Sequence, residues 1–170
     1  MLRDGCDKAL LDSAETGAFP EELASLLEDN GFDQLGAPDS GTSGDDAYGV
    51  LRVAGRFALP VPLAEWQLAR LLGLSGRVSV GQLDPDGGSV RCVPWAVQSE
   101  RVIGLGADGE VRLFDVAGST LESEAHLAGE ARATVAGASQ NIDGVPDAFE
   151  RMALSRVALS VGSLERVLEL

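Results

Sequence analysis

A chain of 170 residues, 45% hydrophobic and 24% charged, has the composition of a globular protein rather than a disordered one. Its 27 acidic against 13 basic residues give a formal charge of −14, which repels phosphate backbones and anionic membranes and excludes them as expected partners. No run reaches the roughly 18 apolar residues of a membrane span, and the opening MLRDGCDKALLDSA lacks the apolar core and cleavage site of a signal peptide, so a soluble, cytoplasmic protein is expected.

The first third reads as helices. Asp7 to Ala14 carries a short apolar face of Ala9, Leu10, Leu11 and Ala14. Pro20 opens a second helix with Glu21 and Glu22 in its first turn, where carboxylates favour the helix dipole, and Gly31 supplies a stop. The loop APDSGTSGDD follows. Its Asp39, Asp45 and Asp46 lack the ordered alternation and terminal glutamate of a calcium loop, and Ser40, Thr42 and Ser43 have no base nearby in sequence. A helix is expected from about Asp46 to Phe57. The prolines of LPVPLAE then force an extended passage before a helix over Leu63–Leu72.

After Gly76 the period changes from helical to alternating. RVSVGQL reads as a strand, DPDGG as a turn, and VRCVPWAV as a strand interrupted by Pro94. RVIGLGADGEVRLFDV is a hairpin turning at Asp108-Gly109, and HLAGEARATVAGA continues the alternation. His126, the single histidine, has no ligand-spaced partner and reads as a surface residue. Cys6 and Cys92 read as two reduced, unrelated thiols, and no metal site is expected. From Pro146 the chain is helical again, with Phe149, Met152, Ala153, Val157, Val161, Leu164 and Val167 recurring every three to four residues. The expected class is α+β: an N-terminal helical bundle (1–76), an antiparallel β-domain (77–138), then a linker and one long helix (139–170) that opens an incomplete helical domain. The apolar stripe of that helix is expected to be a contact surface, a homodimer seam or a docking face.

Gly55-Arg56, then Pro60-Val61-Pro62-Leu63-Ala64-Glu65, then Leu68 to Leu72 resemble a passage typical of the acyl-CoA dehydrogenase family. FPEELASLLEDNGFDQLGAPDSGTSG and VPWAVQSERVIGLGADGEVRLFDV resemble that family's N-terminal helices and middle β-domain. The resemblance implies an oxidoreductase of lipid or fatty acid metabolism, performing FAD-linked α,β-dehydrogenation of acyl-CoA thioesters as part of a larger or heteromeric enzyme. The alternative is a non-catalytic structural subunit that supports a catalytic dehydrogenase partner.

In the family, a Thr-Glu-Pro-type strand and a Trp-x-Thr-Asn-type stretch face the flavin. Gln82 and Leu83 stand near the first here, and Val93, Pro94 and Trp95 near the second. These five are the candidate cofactor-binding residues that the resemblance implies. The pattern departs from the family's at these places, and Pro94 has no N–H to offer a ring. Gln82 reads equally as a plain β-surface residue, and Trp95 as core or interface packing. No catalytic residue is assigned, since Glu165 and Glu169 are poor candidates for the family's glutamate base. FAD is thus the implied cofactor, with tight binding by this chain alone not expected. The implied partners are a second copy or a dehydrogenase-like subunit.

Overall fold

Local capping chemistry sets where the helices begin. In the computed structural model, which describes residues 6–124, 132–142 and 147–169, the Asp7 carboxylate accepts from the Leu10 amide at 2.8 Å and starts α1 (Lys8–Glu15). Helix α2 (Glu21–Asp29) follows Pro20. At α3 (Gly44–Arg56), Ser43 and Asp46 exchange hydrogen bonds in a capping box, so the acidic loop ends in a helix cap. Helix α4 (Leu63–Leu71) starts after Pro62 and is buried almost all round, from Leu63 to Ala69. Its polar side chains find partners in the short turn at Phe32–Gln34: Gln67 donates to the Phe32 carbonyl at 3.0 Å, and Arg70 to Asp33 at 2.7 Å.

Seven strands form one sheet in the order β5-β6-β2-β1-β3-β4-β7. They are β1 (Val78–Leu83), β2 (Ser89–Pro94), β3 (Arg101–Leu105), β4 (Val111–Asp115), β5 (Thr120–Glu124), β6 (Arg132–Ala136) and β7 (Ser139–Asn141). The expected 106–109 hairpin is present, closed by Gly106 and Glu110 with Gly109 at φ 89°. The sheet is mixed rather than purely antiparallel, because β1 and β3 run parallel. After β2 the chain turns at Ala96–Gln98 and re-enters on the far side of β1, which reverses the direction a hairpin would give. Pairing also continues past residue 138, where β7 adds to β4.

The sheet has two apolar faces. Val78, Val80, Ile103, Leu105, Val111 and Leu113 meet the helices in the larger core. Leu83, Val90, Val93, Val102, Phe114 and Val135 close a smaller core on the other face. Gly104 sits where a Cβ would collide with side-chain carbons of Val90 and Leu83, so the absence of a side chain allows the smaller core to close.

The last helix, α5 (Ala148–Leu168), starts two residues later than Pro146 and lies across α3. A Cβ on Gly55 would overlap the Leu159 carbonyl oxygen, and one on Gly162 the Arg52 carbonyl oxygen. The two backbones therefore touch. Ser163 donates to the Gly55 carbonyl at 3.0 Å, Arg52 pairs with Glu165, and Arg56 donates to both Glu169 oxygens at 2.6 and 2.8 Å. The inner face of α5 is thus made of Ala148, Met152, Ser155 and Gly162. Of the seven stripe residues read from sequence only Met152 is buried; the other six are exposed. Among the described residues no helix is long and apolar enough to cross a membrane. His126 and Pro146 lie outside the described residues.

Replacing Gly55 or Gly162 with alanine is expected to lower urea-unfolding stability by about 1–3 kcal/mol, as overpacking does. Gly49, on the same α3 with open space at its Cβ, is the control: G49A should be neutral or stabilising. Acid should loosen the same crossing. Arg52, through its hydrogen bond to Glu165 and its charge, holds the Glu165 carboxyl below the usual carboxylate range. A folded-state value below the unfolded one contributes stability above about pH 4.3 that is lost as pH falls through the folded value. Arg52→Met should flatten that part of the pH–stability profile.

Candidate functional site

The alternation of β1 decides which side chains can reach a ligand. Val80 points into the helix-facing core and Leu83 into the smaller one, so Gln82 stands exposed on the helix-facing side at the strand's end. Opposite it runs the first half of α5. A cleft of about 430 Å³ lies between them. Its sheet wall is Val80, Gly81, Gln82, Cys92 and Leu105, its helix wall Phe149, Met152, Ala153 and Arg156, and Arg132 of β6 also lines it.

Cys92 reaches the cleft through a bulge. The β2–β6 register shifts between Val90 and Val93, and Cys92 adopts φ 57°, a conformation uncommon for a non-glycine residue. Its amide donates to Glu124 Oε1 at 3.1 Å. Hydrogen bonds from Thr134 and then from the Cys92 amide hold the Glu124 carboxyl below its usual range. The bulge is therefore fastened from β5, and the thiol is exposed and unpaired to any other cysteine.

Arg156 is tied from behind to Glu65, whose side chain is only 1% exposed although Arg156 itself is 45% exposed. A buried carboxylate on α4 thus positions a cation at the rim of the cleft. Against a net charge of −14, Arg132 and Arg156 bring two positive groups to one apolar cleft. That arrangement suits a flat or elongated apolar group carrying negative charge or carbonyl oxygens.

Of the five sequence candidates, Gln82 alone lines this cleft. Leu83 and Val93 lie in the smaller core. Pro94 is buried, and its carbonyl accepts from Ser79 at 2.6 Å. Trp95, at φ 52° and 2% exposed, meets Phe19 edge-on with centroids 5.3 Å apart, while Arg77 lies over the Phe19 ring at 4.9 Å. It borders a separate hollow of about 280 Å³ with Leu11, Ala14 and Pro60. Glu165 and Glu169 line neither cavity and pair with Arg52 and Arg56 instead. Sequence reasoning missed Cys92, Arg132, Phe149 and Arg156, because only the seating of α5 on α3 and α4 brings its first turns opposite β1 and β2.

No family model and no curated protein matches the chain. Among solved structures it is similar to a glutaryl-coenzyme A dehydrogenase in a glutaryl-CoA complex, with a TM-score of 0.67 and 16% identity over 99% of this chain and 62% of that one. A glutaryl-CoA dehydrogenase from Mycobacterium smegmatis in complex with FADH2 gives 0.62 and 12% identity, covering 96% of this chain and 59% of that one. A steroid ACAD variant gives 0.60 and 19%, covering 95% and 58%. The chain has an acyl-CoA dehydrogenase-like fold, and it spans about 60% of the length of these structures.

Removing Arg156 takes one charge partner from a buried carboxylate. Arg156→Gln is expected to cost about 1–3 kcal/mol, below the range for a wholly buried pair because the arginine is half exposed. The double variant with Glu65→Gln should lose less than the sum of the two single changes in urea unfolding.

Proposed function

We propose that this acyl-CoA dehydrogenase-fold chain contributes one wall of a flavin site to an FAD-linked acyl-CoA dehydrogenase-type assembly. The observation that carries this reading is the cleft between Gln82 and α5, which has the size of a small-ligand site and concentrates two arginines in an acidic protein.

The cleft fits the ring end of a flavin. Phe149, Met152 and Val80 offer apolar faces, and Gln82 offers an amide donor and acceptor for ring-edge nitrogens and carbonyls. Arg132 and Arg156 would hold negative charge at its ends. At about 430 Å³ it takes the ring rather than the whole dinucleotide, so the remainder would rest on other surfaces. Bound flavin would supply the hydride acceptor of an α,β-dehydrogenation. This chain's residues would orient the ring and exclude water from one side of it. Among the described residues no side chain lining the cleft is a carboxylate or histidine, so the proton-abstracting base would come from elsewhere in the assembly.

A second reading, a non-catalytic scaffold subunit, draws on a different observation. Leu83, Val93, Pro94 and Trp95 are all turned into packing, which leaves Gln82 as the single side chain from those two stretches facing the cleft.

Titration of the chain with FAD, followed by quenching of flavin fluorescence, separates the two. The flavin-wall reading expects weak saturable binding, with Kd on the order of 100 μM, weakened at least about fivefold by Gln82→Ala and by alkylation of Cys92. No saturable signal, with the fold intact by circular dichroism, favours the scaffold. Either reading expects no turnover of an acyl-CoA with a dye acceptor by this chain alone.

A further inference from the structure

The two arginines of the Gln82 cleft are arranged in the same sense. Arg156 is backed by Glu65, a buried carboxylate of α4 that does not line the cleft. Arg132 is the cross-strand partner of Glu124. That carboxylate is turned to Thr134 and to the Cys92 amide, and it does not line the cleft either. Each acid thus stands behind its arginine, and the cationic ends face inward. Val80, Leu105 and Met152 add apolar wall, and low-dielectric walls strengthen the field of the charges beside them. In a chain of net charge −14 this makes a local patch of the opposite sign.

We propose that Arg132 and Arg156 make this cleft selective for the anionic, reduced ring of a flavin over its neutral, oxidised ring. The inference rests on the flavin-wall reading and says which redox state that wall is built for. A hydride brings two electrons and one proton, so accepting one turns a neutral ring into an anion with no further proton taken up. Charges already in place stabilise such an anion without having to reorient. Arg156 meets that condition because Glu65 holds it from behind. The preference is modest, since the Arg156 side chain is 45% exposed and water screens it. About fivefold is expected, which for a two-electron couple raises the midpoint potential of the bound ring by about 20 mV. The pyrophosphate of FAD carries the same charge in both states and drops out of the ratio.

The test is equilibrium dialysis of the whole chain under nitrogen against FAD, oxidised in one series and chemically reduced in the other. On the alkaline side of neutrality the reduced form should bind about fivefold tighter, and the preference should shrink as salt rises. It should also shrink in mild acid, where the reduced ring takes up a proton and becomes neutral. The charged and titratable groups facing the ring are Arg132 from β6, Arg156 from α5 and Cys92 from β2, so the acid series carries Cys92→Ser. Arg156→Gln should lower the ratio at least about twofold, and Arg156→Lys should keep it. Arg132→Gln, away from the buried Glu65, should lower it as well and serves if Arg156→Gln unfolds. Equal affinity for the two states overturns the proposal and leaves the flavin-wall reading standing. So does an equal weakening of both states by the glutamine variants, which would assign the arginines to the phosphates. Absence of saturable binding in either state removes the flavin-wall reading and this inference together.

Discussion

The backbone contact between α3 and α5 at Gly55 and Gly162 is the constraint from which the rest of the arrangement follows. Only glycine lets the two helices approach until carbonyl oxygens of one meet α-carbons of the other. That approach fixes the height of α5 above the sheet and with it the width of the cleft beside Gln82. It also spends the small-residue face of α5 on the fold and leaves the larger apolar side chains, Val157, Val161 and Leu164, pointing away. One steric fact therefore determines both the width of the cleft and which side chains of α5 stay exposed.

Charge is organised around the same helix. The surplus of acid is spread over the surface, while several of the arginines sit where two elements meet. Arg52 and Arg56 join α3 to α5, Arg70 joins α4 to the turn beneath it, and Arg77 joins β1 to α2 through Glu21. Exposed pairs of this kind contribute little individually. Asp33 and Glu65 differ, since each buries a carboxylate almost completely beside an arginine.

The helical third, the switch to strands near Gly76 and the closing helix were legible in the sequence, because hydrophobic period and proline positions are local signals. The mixed sheet was not legible. Nothing in VRCVPWAV announces that the chain will cross under β1 and return parallel to it, since that depends on where Trp95 packs against Phe19. The stripe of α5 was read correctly as periodic, but its inward face was not. Buried positions at Ser155 and Gly162 carry no hydrophobic signal, and they are inside because α3 comes too close for anything larger. Gln82 was singled out from the resemblance, and it lines the cleft beside α5. Its neighbours across the cleft were not, as Phe149 and Arg156 lie more than sixty residues away along the chain.

Distance along the chain also has a consequence in time. The bonds that fasten α5 to α3 join residues 108 to 113 positions apart, such as Ser163 with Gly55 and Arg52 with Glu165. Closing so long a loop is entropically costly until the intervening strands have paired and brought its ends together. Docking of α5 is thus the late event of folding. Until it happens α3 keeps a bare strip at Gly55, and the buried Glu65 lacks the arginine that meets it. A strip that waits in this way is open to wrong pairing by another helix until α5 reaches it.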